Sequence, residues 1–300
     1  MSILVVGSVA LDTIKTPFGR KKDILGGSAT YFSTSAAFFS PVALVAVVGD
    51  DFPARHVAFL KRRKVDTLGL EVVKGGRTFK WEGEYDWDFA DPRTVATHLN
   101  VFAGFDPAIP PEYRDKKFVF LANIDPALQI KVLGQMRNPR LVACDTMNYW
   151  IKNKRKELLR LLGKVDIFFL NESEARELTG EAGIVRAARS ILKMGPAKLI
   201  IKKGEHGSLL FSGNSVFSVP AFLMESIVDP TGAGDTYAGG VMGYLASRRS
   251  LTESDLRRAV VYGGVMATFA AEGFSLSRLA RTGRSEIEKR YKEFIKLTRF

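Results

Sequence analysis

The stretch at residues 229–240, DPTGAGDTYAGG, constrains this chain more than any other. An apolar run at 222–228 leads into Pro230 and a cluster of small residues. An acid follows at Asp235, and after it a segment rich in Ala, Gly and Tyr that can wind as a helix. Gly232, Ala233 and Gly234 leave their backbone N–H groups uncovered. A helix starting near Gly234 aims those donors, and the positive end of its dipole, at one spot. Such a spot holds a phosphate or a developing negative charge without any cationic side chain. Asp235 at its edge can take a proton from an attacking hydroxyl while the amides hold the group in transfer. The competing reading is local: Thr231 or Asp235 caps a helix and the glycines make a turn.

Composition bounds the rest. Three hundred residues, 46% hydrophobic and 25% charged, can bury a large core of ordinary globular type. No apolar run is long enough to cross a bilayer, and the start of the chain reads as a buried strand rather than a signal peptide. Cys144 is the only cysteine, which excludes an intrachain disulfide and fits a cytoplasmic protein. The net charge of +12 invites a nucleic-acid reading. The basic residues are dispersed, however, and the clusters at 61–64 and 152–156 accompany no recognition motif, so a solvated surface that attracts anionic substrates is expected instead. His56, His98 and His206 are too scattered for a metal cluster.

Short apolar runs alternate with helical segments along the chain. Strands are expected at 3–6, 42–48, 118–122, 141–143, 167–170 and 198–202, with two more at 208–211 and 215–219. Helices are expected at 28–39, capped by Ser28, then to about 63, from about 126, at 236–247, at 253–271 behind Thr252, and at about 285–297. This rhythm predicts an α/β fold: a doubly wound, mostly parallel sheet flanked by helices. Residues 68–105 break it with polar, alternating strands around 72–73, 78–81 and 94–99. With residues 13–24 they are read as a small β-sheet lid inserted in a single domain spanning 1–300. Phe79, Trp81 and Phe89 then face the ligand or a partner lid, or simply pack on the strand face. Polar residues just past strand ends mark the ligand edge of such a sheet. Asp12, Asn123, Asp145, Asn148 and Asn171 stand there, each also explicable as a loop hydrogen-bonder.

The 229–240 string resembles the C-terminal motif of the ribokinase family, the PfkB-type carbohydrate and nucleoside kinases. The resemblance extends from Gly7 to Phe274. It implies that Asp235 is the catalytic base and that Gly232, Ala233 and Gly234 form the anion hole. It further implies that Asp12 and the pair Gly26 and Gly27 hold the substrate, with Asn123 nearby. Where the family usually has a sugar-contacting Asn, this chain reads GGSATYFS and places Tyr31, an aromatic suited to stacking on a ring or, alternatively, to packing into the core. Asn171 and Glu174 match an Asn-x-x-Glu motif whose Glu helps hold Mg2+, partly through water; a capped helix is the alternative reading. Lys203, Gly204 and Gly207, together with Thr231, Gly232 and Gly234, would lie along ATP. Asp229 would take part in a monovalent-cation site, K+ for instance. The expected activity is ATP-dependent phosphorylation of a hydroxymethyl group on a sugar. Two alternatives stay open: a nucleoside acceptor, motivated by Tyr31 and the lid aromatics, and a non-catalytic protein that binds nucleotide or nucleic acid. A small-molecule partner, no nucleic acid, no membrane and a homodimer through the lid complete the expectation.

Overall fold

The computed structural model describes residues 1–89 and 92–298. In chain order the first half carries β1 (Ile3–Val6), β2 (Ala10–Thr16), β3 (Gly19–Gly26), α1 (Ser28–Ala36), β4 (Val42–Gly49) and α2 (Ala54–Arg62). Then come β5 (Val65–Val73), β6 (Phe79–Glu84), β7 (Arg93–His98), β8 (Phe118–Leu121), α3 (Pro126–Leu133) and β9 (Leu141–Cys144). The second half continues with α4 (Asn148–Asn153), α5 (Arg155–Leu162), β10 (Ile167–Asn171), α6 (Glu172–Thr179), α7 (Ile184–Leu192) and β11 (Lys198–Lys202). It closes with β12 (Ser208–Ser212), β13 (Ser215–Val219), α8 (Ala233–Ser247), α9 (Glu253–Ala271) and α10 (Arg284–Leu297).

Nine strands form one sheet in the order β13-β12-β11-β10-β9-β8-β1-β4-β5. It is parallel from β11 to β5, and the β12–β13 hairpin adds antiparallel at one edge. The apolar runs are explained by two-sided burial. Along β1, Ile3 and Val5 enter one core with α1, α8 and α9, while Leu4 and Val6 enter the other with α3, α5, α6 and α7. Each fully buried side chain of this size contributes about 1.5–3 kcal/mol. In the first core Phe32 stacks on Phe120 with centroids 4.0 Å apart. Helix α8 is thin because its neighbours come to its backbone. A Cβ on Gly239 would lie 2.4 Å from the Phe32 carbonyl oxygen, and one on Gly243 would lie 2.9 Å from Ala36. The small residues of this helix therefore serve packing against α1.

A second sheet of four strands runs β3-β2-β6-β7. Its make-up differs from the sequence expectation in three ways. Its first two strands begin at Ala10, so Asp12 lies inside β2 rather than in a loop beyond β1. Residues 68–73 are not part of it; they pair in parallel with β4 as the edge of the large sheet, and the alternation read there is that of a half-exposed edge strand. The inserted segment thus contributes only β6 and β7. Ser28 also does not cap α1. Gly27 is the N-cap, and the Ser28 hydroxyl instead meets that of Ser8 at 3.1 Å. Residues 90 and 91, inside the segment read as lid, lie outside the described residues.

Candidate active site

The loop that enters α8 is built on Asp229. Its side chain is fully buried, and each oxygen accepts one amide: Oδ1 from Thr231 at 2.9 Å and Oδ2 from Ser275 at 3.1 Å. Those two amides satisfy one lone pair on each oxygen of the buried carboxylate. Gly232 then caps α8 at φ 73°, a left-handed backbone that favours glycine. The Tyr31 ring lies against it, only 2.3 Å from where a Cβ would sit. Among the three expected donors, Ala233 is already engaged: its N–H closes the first turn on the Pro230 carbonyl at 3.0 Å. The N–H groups of Gly232, Gly234 and Asp235 find no acceptor among the described residues. The free donors of this loop are therefore those three, with the Asp235 N–H in the place expected of Ala233.

Asp235 lies in the first turn of α8. Burial, and then Asp145, push its pKa up to about 7, while Lys202 pulls it down. Asp12 is 4% exposed, and its carboxylate rests where a Cβ on Gly26 would be, 1.8 Å from that point. Its pKa is pushed up to about 8, by burial first, then by Asp229 and Asp235, against the opposing Gly27 N–H. Asp12 and Asp235 thus lie within electrostatic reach of each other, one on each sheet's side of the cleft. Gly27, at φ 93°, brings its backbone against the Ser8 carbonyl, 2.5 Å from a notional Cβ. No larger residue fits there.

Three neighbouring strand ends supply the other polar groups. Asp145 follows β9, Glu174 lies in the first turn of α6 after β10, and Lys202 ends β11. Lys202 Nζ donates to Asp145 Oδ2 at 2.7 Å. Burial would lower the Lys202 pKa, but Asp145, Glu174 and Asp235 outweigh it and hold it above the usual value. The sequence reading missed Lys202 altogether, naming Lys203 instead. The signal was available: a charge ending an apolar strand at the sheet's carboxyl edge. Two bonds that tie the smaller sheet and the chain just after it to the loops around α8 and α9 were also missed. The Thr231 hydroxyl donates to the Tyr85 hydroxyl at 3.2 Å, and the Ser275 hydroxyl donates to the Leu25 carbonyl.

The remaining expected residues fall as follows. Tyr31 is 1% exposed and sits in the core beneath Gly232, so it offers no face for stacking on a ligand ring. Burial, then Asp229 and Asp12, keep its phenol protonated. Asn123 accepts a 2.7 Å hydrogen bond from the Trp150 indole. Asn171 and Glu174 form a capping box: Asn171 N–H donates to Glu174 Oε2 at 2.6 Å, and Glu174 N–H donates to Asn171 Oδ1 at 2.7 Å. Lys203 N–H donates to the Gly207 carbonyl at 2.8 Å, closing a tight turn. Gly207 is demanded by the chain itself, since a Cβ would lie 2.0 Å from the Val219 carbonyl oxygen. Around Gly204 there is open space. No group of three or more acidic, His or Cys side chains able to hold a metal occurs among the described residues. No helix among them is long and apolar enough to cross a membrane.

A half-buried acid among bare amides, opposite a second acid on a smaller sheet, has the make-up of a phosphoryl-transfer site. Residues 12–277 match the pfkB family carbohydrate kinases, and the chain belongs to that family. It is a kinase, a phosphotransferase with an alcohol group as acceptor. The cytidine kinase of Thermococcus kodakarensis is 34% identical over 258 residues, covering 84% of this chain and 91% of that protein. The crystal structure of the Methanocaldococcus jannaschii nucleoside kinase superposes with TM-score 0.80 at 20% identity, covering 97% of this chain and 98% of that one. Aminoimidazole riboside kinase from Salmonella enterica, complexed with aminoimidazole riboside and an ATP analogue, gives TM-score 0.79 at 16% identity, over 97% of this chain and 100% of that one.

Proposed function

We propose that this protein transfers the γ-phosphoryl group of ATP to the hydroxymethyl group of a nucleoside, with Asp235 as the base. The observation that carries the reading is the position of Asp235 among the unpaired N–H groups of Gly232, Gly234 and its own backbone. The likeness to a cytidine kinase over most of both chains favours a nucleoside over a free sugar. Asp12, packed on Gly26, would receive the ribose hydroxyls and so fix the nucleoside's free hydroxymethyl group near Asp235. Holding acceptor and phosphate in line replaces a bimolecular encounter with an oriented one. The bare amides would then stabilise charge on the phosphoryl oxygens at no reorganisation cost. Mg2+, when bound with ATP, neutralises phosphate charge, and Glu174 would help hold it through water. The smaller sheet would act as a lid that excludes water, tied to the reacting loop through Tyr85 and Thr231.

Replacing Asp235 with Asn tests the base. Turnover of ATP with an accepted nucleoside should fall by about 10²–10⁴-fold, while far-UV circular dichroism and melting temperature stay native. Turnover within a few-fold of wild type would remove Asp235 from the mechanism. A thermal-shift panel tests the acceptor: cytidine or another nucleoside should stabilise the protein in the presence of an ATP analogue. Stabilisation by ribose or hexoses alone would return the reading to a sugar kinase.

A further inference from the structure

We propose that Lys202 is a catalytic cation that leaves Asp145 for the γ-phosphate of the bound nucleotide and stays on the phosphoryl group through its transfer. The inference deepens the function proposed above and rests on the same site. Lys202 Nζ lies 3.2 Å from where a Cβ on Gly234 would be, next to one of the unpaired amides. Its side chain is 18% exposed while that of Asp145 is 4% exposed, so the ammonium forms the outer half of the pair. Asp145 is its one hydrogen-bond partner among the described residues, which leaves two of the three ammonium N–H donors unused. Those donors sit at the end of β11, amid the fields of Asp145, Glu174 and Asp235.

A purely structural role explains this arrangement poorly. A buried ion pair adds little net stability, because desolvation of two charges offsets their attraction. Two idle donors on a half-buried ammonium add to the cost. A tetra-anionic nucleotide supplies what they lack, since charge-assisted bonds to phosphate oxygens are among the stronger hydrogen bonds. Before nucleotide binds, Asp145 holds the cation in place, and the cation offsets the mutual repulsion of Asp145, Glu174 and Asp235. After it binds, the ammonium and the Gly234 amide would grip the same phosphoryl group. In the transfer the acceptor oxygen–phosphorus bond forms and the bond from phosphorus to the β,γ-bridging oxygen breaks. The hydroxyl proton goes to Asp235, and the electron pair of the broken bond leaves with ADP. Lys202 keeps its protons throughout.

The experiment compares wild type with Lys202→Met, Lys202→Arg and the double variant Lys202→Met/Asp145→Asn. Calorimetry measures binding of a non-hydrolysable ATP analogue and of ADP, each with Mg2+ and without acceptor. Lys202→Met should lower the analogue-to-ADP affinity ratio by about tenfold or more, the range of one charge-assisted hydrogen bond. Lys202→Arg should keep part of the ratio. The double variant leaves no buried charge unpaired and should fold as well as wild type, yet it should not recover the ratio. Where wild type turns over an acceptor, Lys202→Met should lower kcat by about 10²-fold or more with acceptor KM little changed. An unchanged ratio in Lys202→Met, or its recovery in the double variant, overturns the proposal. The binding readout needs no acceptor, so failure to phosphorylate nucleosides would correct the acceptor while leaving Lys202 judged on its own.

Discussion

At the scale of single residues, the site works by keeping acids where water cannot easily charge them. As the proposed base, Asp235 would have to be deprotonated to accept the hydroxyl proton, and its pKa is raised to about 7 by burial and Asp145. A base of that strength holds a proton tightly enough to pull it from an alcohol as phosphorus is attacked, yet is half available near neutrality. The sign follows directly. As pH falls through 7 the carboxylate protonates and activity is lost; as pH rises it is gained. The acidic limb of kcat/KM should therefore fall near pH 7 rather than near pH 4, with a slope of about one decade per pH unit. A profile flat down to pH 5 would show that no raised carboxyl limits the reaction. Lys202 opposes the shift, so Lys202→Met should move the limb to higher pH, provided residual turnover is measurable. Asp145 supports that arrangement from behind by holding Lys202 at 2.7 Å.

At the scale of elements, the decisive object is the start of α8. Gly232 is held there by two independent demands: a left-handed backbone at φ 73° and the Tyr31 ring where a side chain would go. Gly232→Ala should cost about 1–2 kcal/mol from the backbone alone, with the ring contact adding to it. Melting temperature should drop by several degrees and turnover should fall with it. Adding Tyr31→Ala should not restore turnover, because the backbone demand remains; recovery by that double variant would mean that only the ring matters. The sequence made much of this element legible. The string at 229–240 carries its own chemistry, since small residues, a helix start and an acid have few other joint uses. The parallel strands were legible too, because two-sided burial writes unbroken apolar runs such as ILVV and IFFL. What escaped was whatever depends on which segments meet. Residues 68–73 alternate like a lid strand, yet they edge the large sheet, because an exposed edge and a lid present the same pattern. Tyr31 stood where a ligand contact was expected, and only packing against Gly232 reveals it as core. The place of Lys202 at a strand's carboxyl end was readable, but its pairing with Asp145, 57 positions away, is made only by the fold.

At the scale of the whole molecule, catalysis and stability oppose each other, and pH exposes the conflict. Asp12 links the smaller sheet to the site, and its folded pKa of about 8 stands well above its ordinary value of 3.8. The sign is that of a raised acid. The folded protein binds a proton that the unfolded chain, between these two values, does not, so stability falls as pH rises from about 4 toward 8 and stays low above that. Asp12→Asn replaces the carboxyl with a neutral group of similar shape and removes that dependence. At pH 9 the variant should melt several degrees above wild type without ligand, because wild type then carries a desolvated charge beside Asp229 and Asp235. At pH 5 the two should melt nearly together, since wild-type Asp12 is then protonated. Titrations elsewhere act equally on both proteins, so the difference between the two melting curves isolates Asp12 and the acids it couples to, Asp229 and Asp235. A difference that does not change between pH 5 and pH 9 would mean that Asp12 is charged throughout, or that it is not buried as described. If the difference appears and nucleoside then stabilises wild type more than the variant at pH 9, the strain at Asp12 is relieved by the ligand: hydroxyl donors from the acceptor supply the hydrogen bonds that the desolvated carboxylate lacks. The same buried carboxylate that weakens the ligand-free protein would thereby favour the bound and closed one, joining the two sheets through the substrate.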